Sequence, residues 1–128
     1  MHHPHTHTIG ATGPDHEVNR GLIVKPGASA GLVALATDPA TEQPVGVIVG
    51  GGTYTKTRDT VAVSGPVKAL VGEDGLTAGF HRVTCDSASK LVTAARDEAS
   101  VGYAFLTAAA TEDQLVEIIV APSPALDE

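Results

Sequence analysis

The chain has 128 residues, of which 42% are apolar, so it can form one domain with a modest core, and this composition argues against wholesale disorder. Its formal charge is −7 and its eight basic residues are scattered singly, which disfavours nucleic-acid binding, since phosphate backbones are held by clustered Lys and Arg. The single cysteine, Cys85, excludes an intrachain disulfide and a Cys-based zinc site. No apolar run approaches a membrane span and the first residues lack a signal-peptide core, so the expectation is a soluble protein made in a cytosol-like compartment, with no membrane partner.

Residues 1–20 carry five of the six histidines, two prolines and little that fills a core. They read as an extended, flexible arm that orders against a partner. From residue 21 onward, short apolar runs alternate with Gly, Pro, Asp and Thr. Candidate strands are Gly21–Val24, Leu32–Ala36, Val45–Val49, Thr60–Val63, Val67–Val71, Phe80–Thr84, Lys90–Ala94, Val101–Leu106 and Leu115–Val120. Pro26-Gly27, Gly50-Gly51-Gly52, Gly65-Pro66 and Glu73-Asp74-Gly75 supply the reversals between them. Ser87–Ala99 and the alanine-rich Thr107–Thr111 have local helix character. Residues 122–128 form an acidic tail. The fold class is therefore mostly β, a small barrel or sandwich. There is no Trp, and Tyr54, Phe80, Tyr103 and Phe105 are the only large rings, so the core is aliphatic and thin. Such cores are often supplemented by association between subunits.

The domain, residues 21–121, divides into two similar halves, about 21–66 and 67–121. Ala30-Gly31 and Ala78-Gly79 each open an apolar strand, Val45-Gly46 and Val101-Gly102 each start the next, and Thr57–Asp59 and Thr111–Asp113 each precede a third. Glycine suits positions where a Cβ would clash. The second half is longer, which implies an inserted hairpin around Asp86–Lys90.

Catalytic patterns are weak. His81 and Cys85 share a strand face but lie about 13 Å apart along it, beyond hydrogen-bond reach, so Cys85 reads as a structural thiol. Gly50-Gly51-Gly52 lacks the Lys-Ser/Thr of a phosphate loop, and Ser64 lies in Val-Ser-Gly-Pro rather than in a nucleophile elbow. Acidic pairs such as Asp97-Glu98 and Glu112-Asp113 read as solvated turns. Two other readings rest on single features. Lys68 in Gly-Pro-Val-Lys-Ala-Leu allows a biotinyl- or lipoyl-type carrier domain, and the arm histidines allow a small metal-binding protein.

The stretches GLIVKPGASAGLVALATD, PVGVIV and SVGYAFLTAAATEDQLVEIIV resemble the capsid cement, or head decoration, proteins of tailed bacteriophages. The resemblance covers about residues 21–121. It implies a non-enzymatic β protein without cofactor or metal that binds the outside of an assembled, expanded capsid and stabilises it. The implied partner is the major capsid protein, the implied state a homotrimer, and the implied location the outer surface of the virion. Acidic charge suits an outer surface better than one facing packaged DNA. The candidate capsid contacts fall in the arm: His2, His3, His5, His7, Ile9, His16, Val18 and Arg20. Removing residues 1–20 is then expected to abolish attachment and leave the fold intact.

Overall fold

A computed structural model describes residues 6–51 and 57–126. Period-two alternation and frequent chain reversals produce nine strands and one short helix among them. These are β1 (His7–Thr12), α1 (His16–Asn19), β2 (Ile23–Pro26), β3 (Val33–Leu35), β4 (Gly46–Gly51), β5 (Arg58–Leu70), β6 (Gly79–Cys85), β7 (Leu91–Thr93), β8 (Ser100–Leu106) and β9 (Leu115–Ser123). The strands pair antiparallel in the order β3-β2-β4-β5-β9-β8-β6-β7, with β1 also on β5.

One pairing scheme is used twice. In the first half β2 pairs with β3 and β4, β4 pairs with the start of β5, and β1 lies on that same stretch of β5. In the second half β6 pairs with β7 and β8, β8 pairs with β9, and the end of β5 lies on β9. Each half also curls until its outer strands meet, through parallel bridges from Thr12 to Leu32 and from Val71 to Leu91. The end of β5 thus stands to the second half as β1 stands to the first.

The curl decides where side chains go. In the first half Ala11, Val24, Ile48 and Val61 cluster on the concave face. Their chain neighbours Ile23, Val47 and Ala62 point the other way, as pleating requires, and join a larger cluster with Val83, Cys85, Leu91, Val101, Ile118 and Val120. The central strands of the first half, β2, β4 and the start of β5, are therefore buried on both faces. A Cβ on Gly46 would strike the Ala62 carbonyl, and one on Gly102 the Ile119 carbonyl. The two Val-Gly pairs thus mark close approach of β4 to β5 and of β8 to β9.

Several expectations are corrected by this architecture. The two strands drawn at Thr60–Val63 and Val67–Val71 are one strand, and Gly65-Pro66 is a bend within it rather than a reversal. Gly65 adopts φ +89°, and at this point β5 leaves β1, whose pairing ends at Ser64, and begins pairing with β9 at Gly65. Proline is tolerated at such a transition because the ladder is already interrupted. The Ala-Gly pairs are not equivalent. Ala30-Gly31 lies in the turn before β3, whereas Ala78-Gly79 opens β6, the counterpart of β2. Asp86–Lys90 is accordingly not an insertion but the β6–β7 turn, matching the β2–β3 turn.

Neither helical stretch is helical. Asp86 accepts from the amides of Ala88 (2.8 Å) and Lys90 (3.0 Å), which turns the chain so that Leu91 enters the core. Ala110 instead exchanges both backbone bonds with Leu76. The flexible-arm reading also fails over residues 7–19. Those residues form β1 and α1, with Ala11 and His16 buried, because β1 is the first strand of the repeat. At the other end β9 runs through Ser123, two residues into the stretch assigned to the tail.

Candidate interaction surface

The concave face of the second half consumes Val67 and Ala69 of β5, Ile118 and Val120 of β9, Ala104 of β8 and Val83 of β6. Alternation therefore sends their neighbours outward. On this convex face Phe80 stands opposite Phe105, and Arg82 opposite Tyr103. Tyr103 stands opposite Ile119, Ile119 opposite Pro66, and Lys68 opposite Glu117. Phe80 is 67% exposed, Phe105 71% and Ile119 48%. Phe80 stacks on Tyr103 with ring centroids 5.4 Å apart and planes 18° from parallel.

Three of the chain's four aromatic rings thus lie together on an outer sheet face, while the core is built without them. The fourth, Tyr54, lies outside the described residues. Rings carry the largest apolar area of any side chain, so exposing them costs more than exposing aliphatics. Contiguous exposed apolar patches of this kind mark contact surfaces. Cross-strand stacking holds Phe80 and Tyr103 in place before any partner arrives. At the edge of the same face, Leu115 (58% exposed) joins Gly21, Ile48, Val49 and Val67 in lining a shallow apolar groove of about 160 Å³, flanked by Arg20 and Lys68.

The residues named as contacts from sequence fare differently. His2, His3 and His5 lie outside the described residues. His7 and Ile9 are exposed on β1, Val18 is exposed on α1, and Arg20 flanks the groove. His16 is corrected: it is buried against Gly51, where a Cβ would meet its ring, and so is closed to a capsid partner. Its neighbour Asp59 is also buried, which pushes the Asp59 carboxyl above the usual range, while the His16 charge opposes that rise. The aromatic face escaped the sequence reading, although a signal was present. In Phe80-His81-Arg82-Val83 and Tyr103-Ala104-Phe105 the rings take the phase opposite to the core residues Val83 and Ala104.

The chemical candidates are separated from one another. Cys85 is buried, and burial pushes its thiol up to about 12. Such a thiol stays protonated and inert at neutral pH. His81 is engaged elsewhere, its Nε2 lying 2.8 Å from the Thr77 carbonyl. Lys68 sits within the thirteen-residue β5, opposite Glu117. A carrier lysine must project from a hairpin tip to swing its cofactor, and mid-strand placement does not provide this. Among the described residues, no three His, Cys, Asp or Glu side chains gather as a metal site would require.

These features define a small, curled, antiparallel β protein of two like halves with a preformed apolar surface. No protein-family profile matches the sequence, and no curated protein sequence matches it. Among solved structures, the chain is similar to the N base of the head fiber gp8.5 of bacteriophage phi29. The TM-score is 0.55 at 14% identity, over 93% of this chain and 97% of that one. At this identity the likeness establishes a common fold, extending over nearly the full length of both chains.

Proposed function

We propose that this chain is a non-enzymatic structural protein of a tailed-phage virion that binds the outside of the assembled capsid and stabilises it. The observation that carries this reading is the near end-to-end fold likeness to the base of a phage head fiber. The resemblance of residues 21–121 to capsid cement proteins supports it from an independent direction. The partner is the major capsid protein, and the working unit is a homotrimer on the outer surface. The chain's charge of −7 accords with a surface that does not face packaged DNA. Weak contacts repeated across a lattice hold such a protein firmly, because each oligomer engages several shell subunits at once.

The test is a pull-down of the purified chain by expanded, empty phage heads, with unexpanded proheads as control. Saturable binding to expanded heads, at a fixed ratio to shell protein, is the expected result. Absence of binding to either form would overturn the proposal.

A further inference from the structure

We propose that Asp59, buried beneath β1 and α1 beside His16, makes the docking of that N-terminal segment pH-dependent, firm in mild acid and looser as pH rises.

The two like halves supply the comparison. In the first, Thr12 stands opposite Arg58 and Ala11 opposite Asp59 across the β1–β5 ladder. In the second, Leu70 stands opposite Leu115 and Ala69 opposite Val116. The next amide closes both ladders alike, from Gly13 to the Thr57 carbonyl and from Val71 to the Gln114 carbonyl. Asp59 therefore occupies the position of Val116, and Gly13 that of Val71. The second half builds this place from two aliphatic residues, so the fold itself does not call for an acid there. In the first half room is made for one. A Cβ on Gly13 would press on Asp59 Oδ2, and one on Gly51, opposite Asp59 in the β4–β5 ladder, would press on the His16 ring.

The place is buried and poor in donors. Asp59 is 1% exposed, and neither carboxyl oxygen accepts a hydrogen bond among the described residues. Burial without a donor penalises the ionised form far more than the protonated one. Few charges face it. α1 brings His16, whose charge favours the carboxylate, and its N-cap Asp15, whose charge disfavours it. β1, β3, β4 and the turn after β1 bring Ala11, Val33, Gly51 and Gly13, none of them charged. Arg58 is exposed, its Nη1 3.5 Å from Thr12 Oγ1, and Glu17 is exposed on α1. Desolvation outweighs the opposing His16 charge, so the Asp59 carboxyl lies above its ordinary value near 3.8.

The sign follows from linkage. A carboxyl raised in the folded state stabilises docking fully below its ordinary value, and that stabilisation is lost as pH rises through the folded one. β1 and α1 are the part of the surroundings free to respond. The one ladder of β1 among the described residues is with β5, and β5 keeps β4 on its other edge. Undocking returns the carboxylate to water, so ionisation favours the undocked segment. That segment carries exposed His7, Ile9 and Val18 on its outer side.

The test is amide hydrogen exchange on the full chain by NMR, as protection factors over a series from about pH 4 to pH 8. Thr12 and Gly13 report on docking, and Val71, the counterpart of Gly13, is the control within the same molecule. Protection at Thr12 and Gly13 is expected to fall by up to about tenfold per pH unit, the limit for one proton, while Val71 stays level. Asp59→Val, which installs the second half's residue, should hold protection at Gly13 high and level across the series. Where circular dichroism shows that this variant does not fold, Asp59→Asn takes its place and should likewise remove the slope. A parallel fall at Gly13 and Val71, or a slope that survives both substitutions, would overturn the proposal. So would an Asp59 carboxyl carbon resonance that titrates at or below the ordinary carboxylate range.

Discussion

Single residues in this molecule act mainly by fixing loops to the sheet. Glu42 is the clearest case. Its Oε2 accepts from Lys25 Nζ at 2.7 Å, and its Oε1 accepts from the amides of Thr37 (3.0 Å) and Asp38 (3.2 Å). It thereby ties the long β3–β4 connection to β2. The Lys25 hydrogen bond, followed by the Thr37 amide, holds the Glu42 carboxyl below the usual carboxylate range. A depressed folded-state value means that the stabilisation is complete above the ordinary value near 4.5 and is lost as pH falls through the folded one. Glu42→Gln is therefore expected to lower stability at pH 7 by about 0.5–1 kcal/mol, a figure reduced for solvent screening because both side chains are partly exposed. Thermal melts of the variant and wild type should converge as pH falls below the ordinary carboxylate range and the Glu42 carboxyl takes up its proton. A gap that persists unchanged at low pH would show that the carboxylate charge is not the cause.

At the scale of elements, β1 and β5 decide the architecture. β1 pairs with β5 from His7 to Thr12, places Ala11 in the first-half cluster, and donates the Thr12 amide to Gly31 to close the curl. Removing residues 1–12 strips one side of β5 and opens that cluster. The sequence-based expectation of an intact fold after arm removal gives way to a different one: a clear fall in melting temperature and partial loss of the first half's amide protection in hydrogen exchange. An unchanged melt would show that β1 contributes little to the fold. The reading of β1 as arm was natural, since HTIGAT holds a single large apolar residue, Ile9, which is too little to announce a strand from local sequence. It becomes a strand because β5 offers it an edge, which local sequence does not record.

For the whole molecule, the consequence of a shared strand is cooperativity. The main cluster draws Ile23, Val47 and Ala62 from the first half and Leu91, Val101 and Ile118 from the second. The chain should therefore unfold in one transition, with calorimetric and van't Hoff enthalpies in agreement. A fragment beginning at residue 67 loses most of β5 and the cover of its core, so it should show no cooperative melt. Separate transitions, or a folded 67–128 fragment, would establish two independent units.

Strand existence was legible in the sequence because alternation and turn residues are local. Nearly every apolar run from Gly21 to Val120 became a strand within a few residues of its expected bounds, and the Val-Gly pairs marked real close approaches. Local patterning also determined the class, the acidic charge and the aliphatic core. It could not determine how the repeat was framed, because Gly65-Pro66 has the composition of a turn whether it reverses a chain or bends one strand between two sheets. Nor could it say which face of each strand would be covered. Ile23 and Phe80 are both apolar residues on convex faces, and only the packing of one half over the other buries the first and exposes the second. His16 likewise carries no sequence sign of burial, which comes from Gly51 and Asp59 across the fold. Period and turn chemistry are properties of neighbouring residues, whereas burial belongs to contacts between residues far apart in the chain. For this protein, then, the sequence alone determined the strands and their chemistry, and the tertiary structure decided which surface remains to meet a partner.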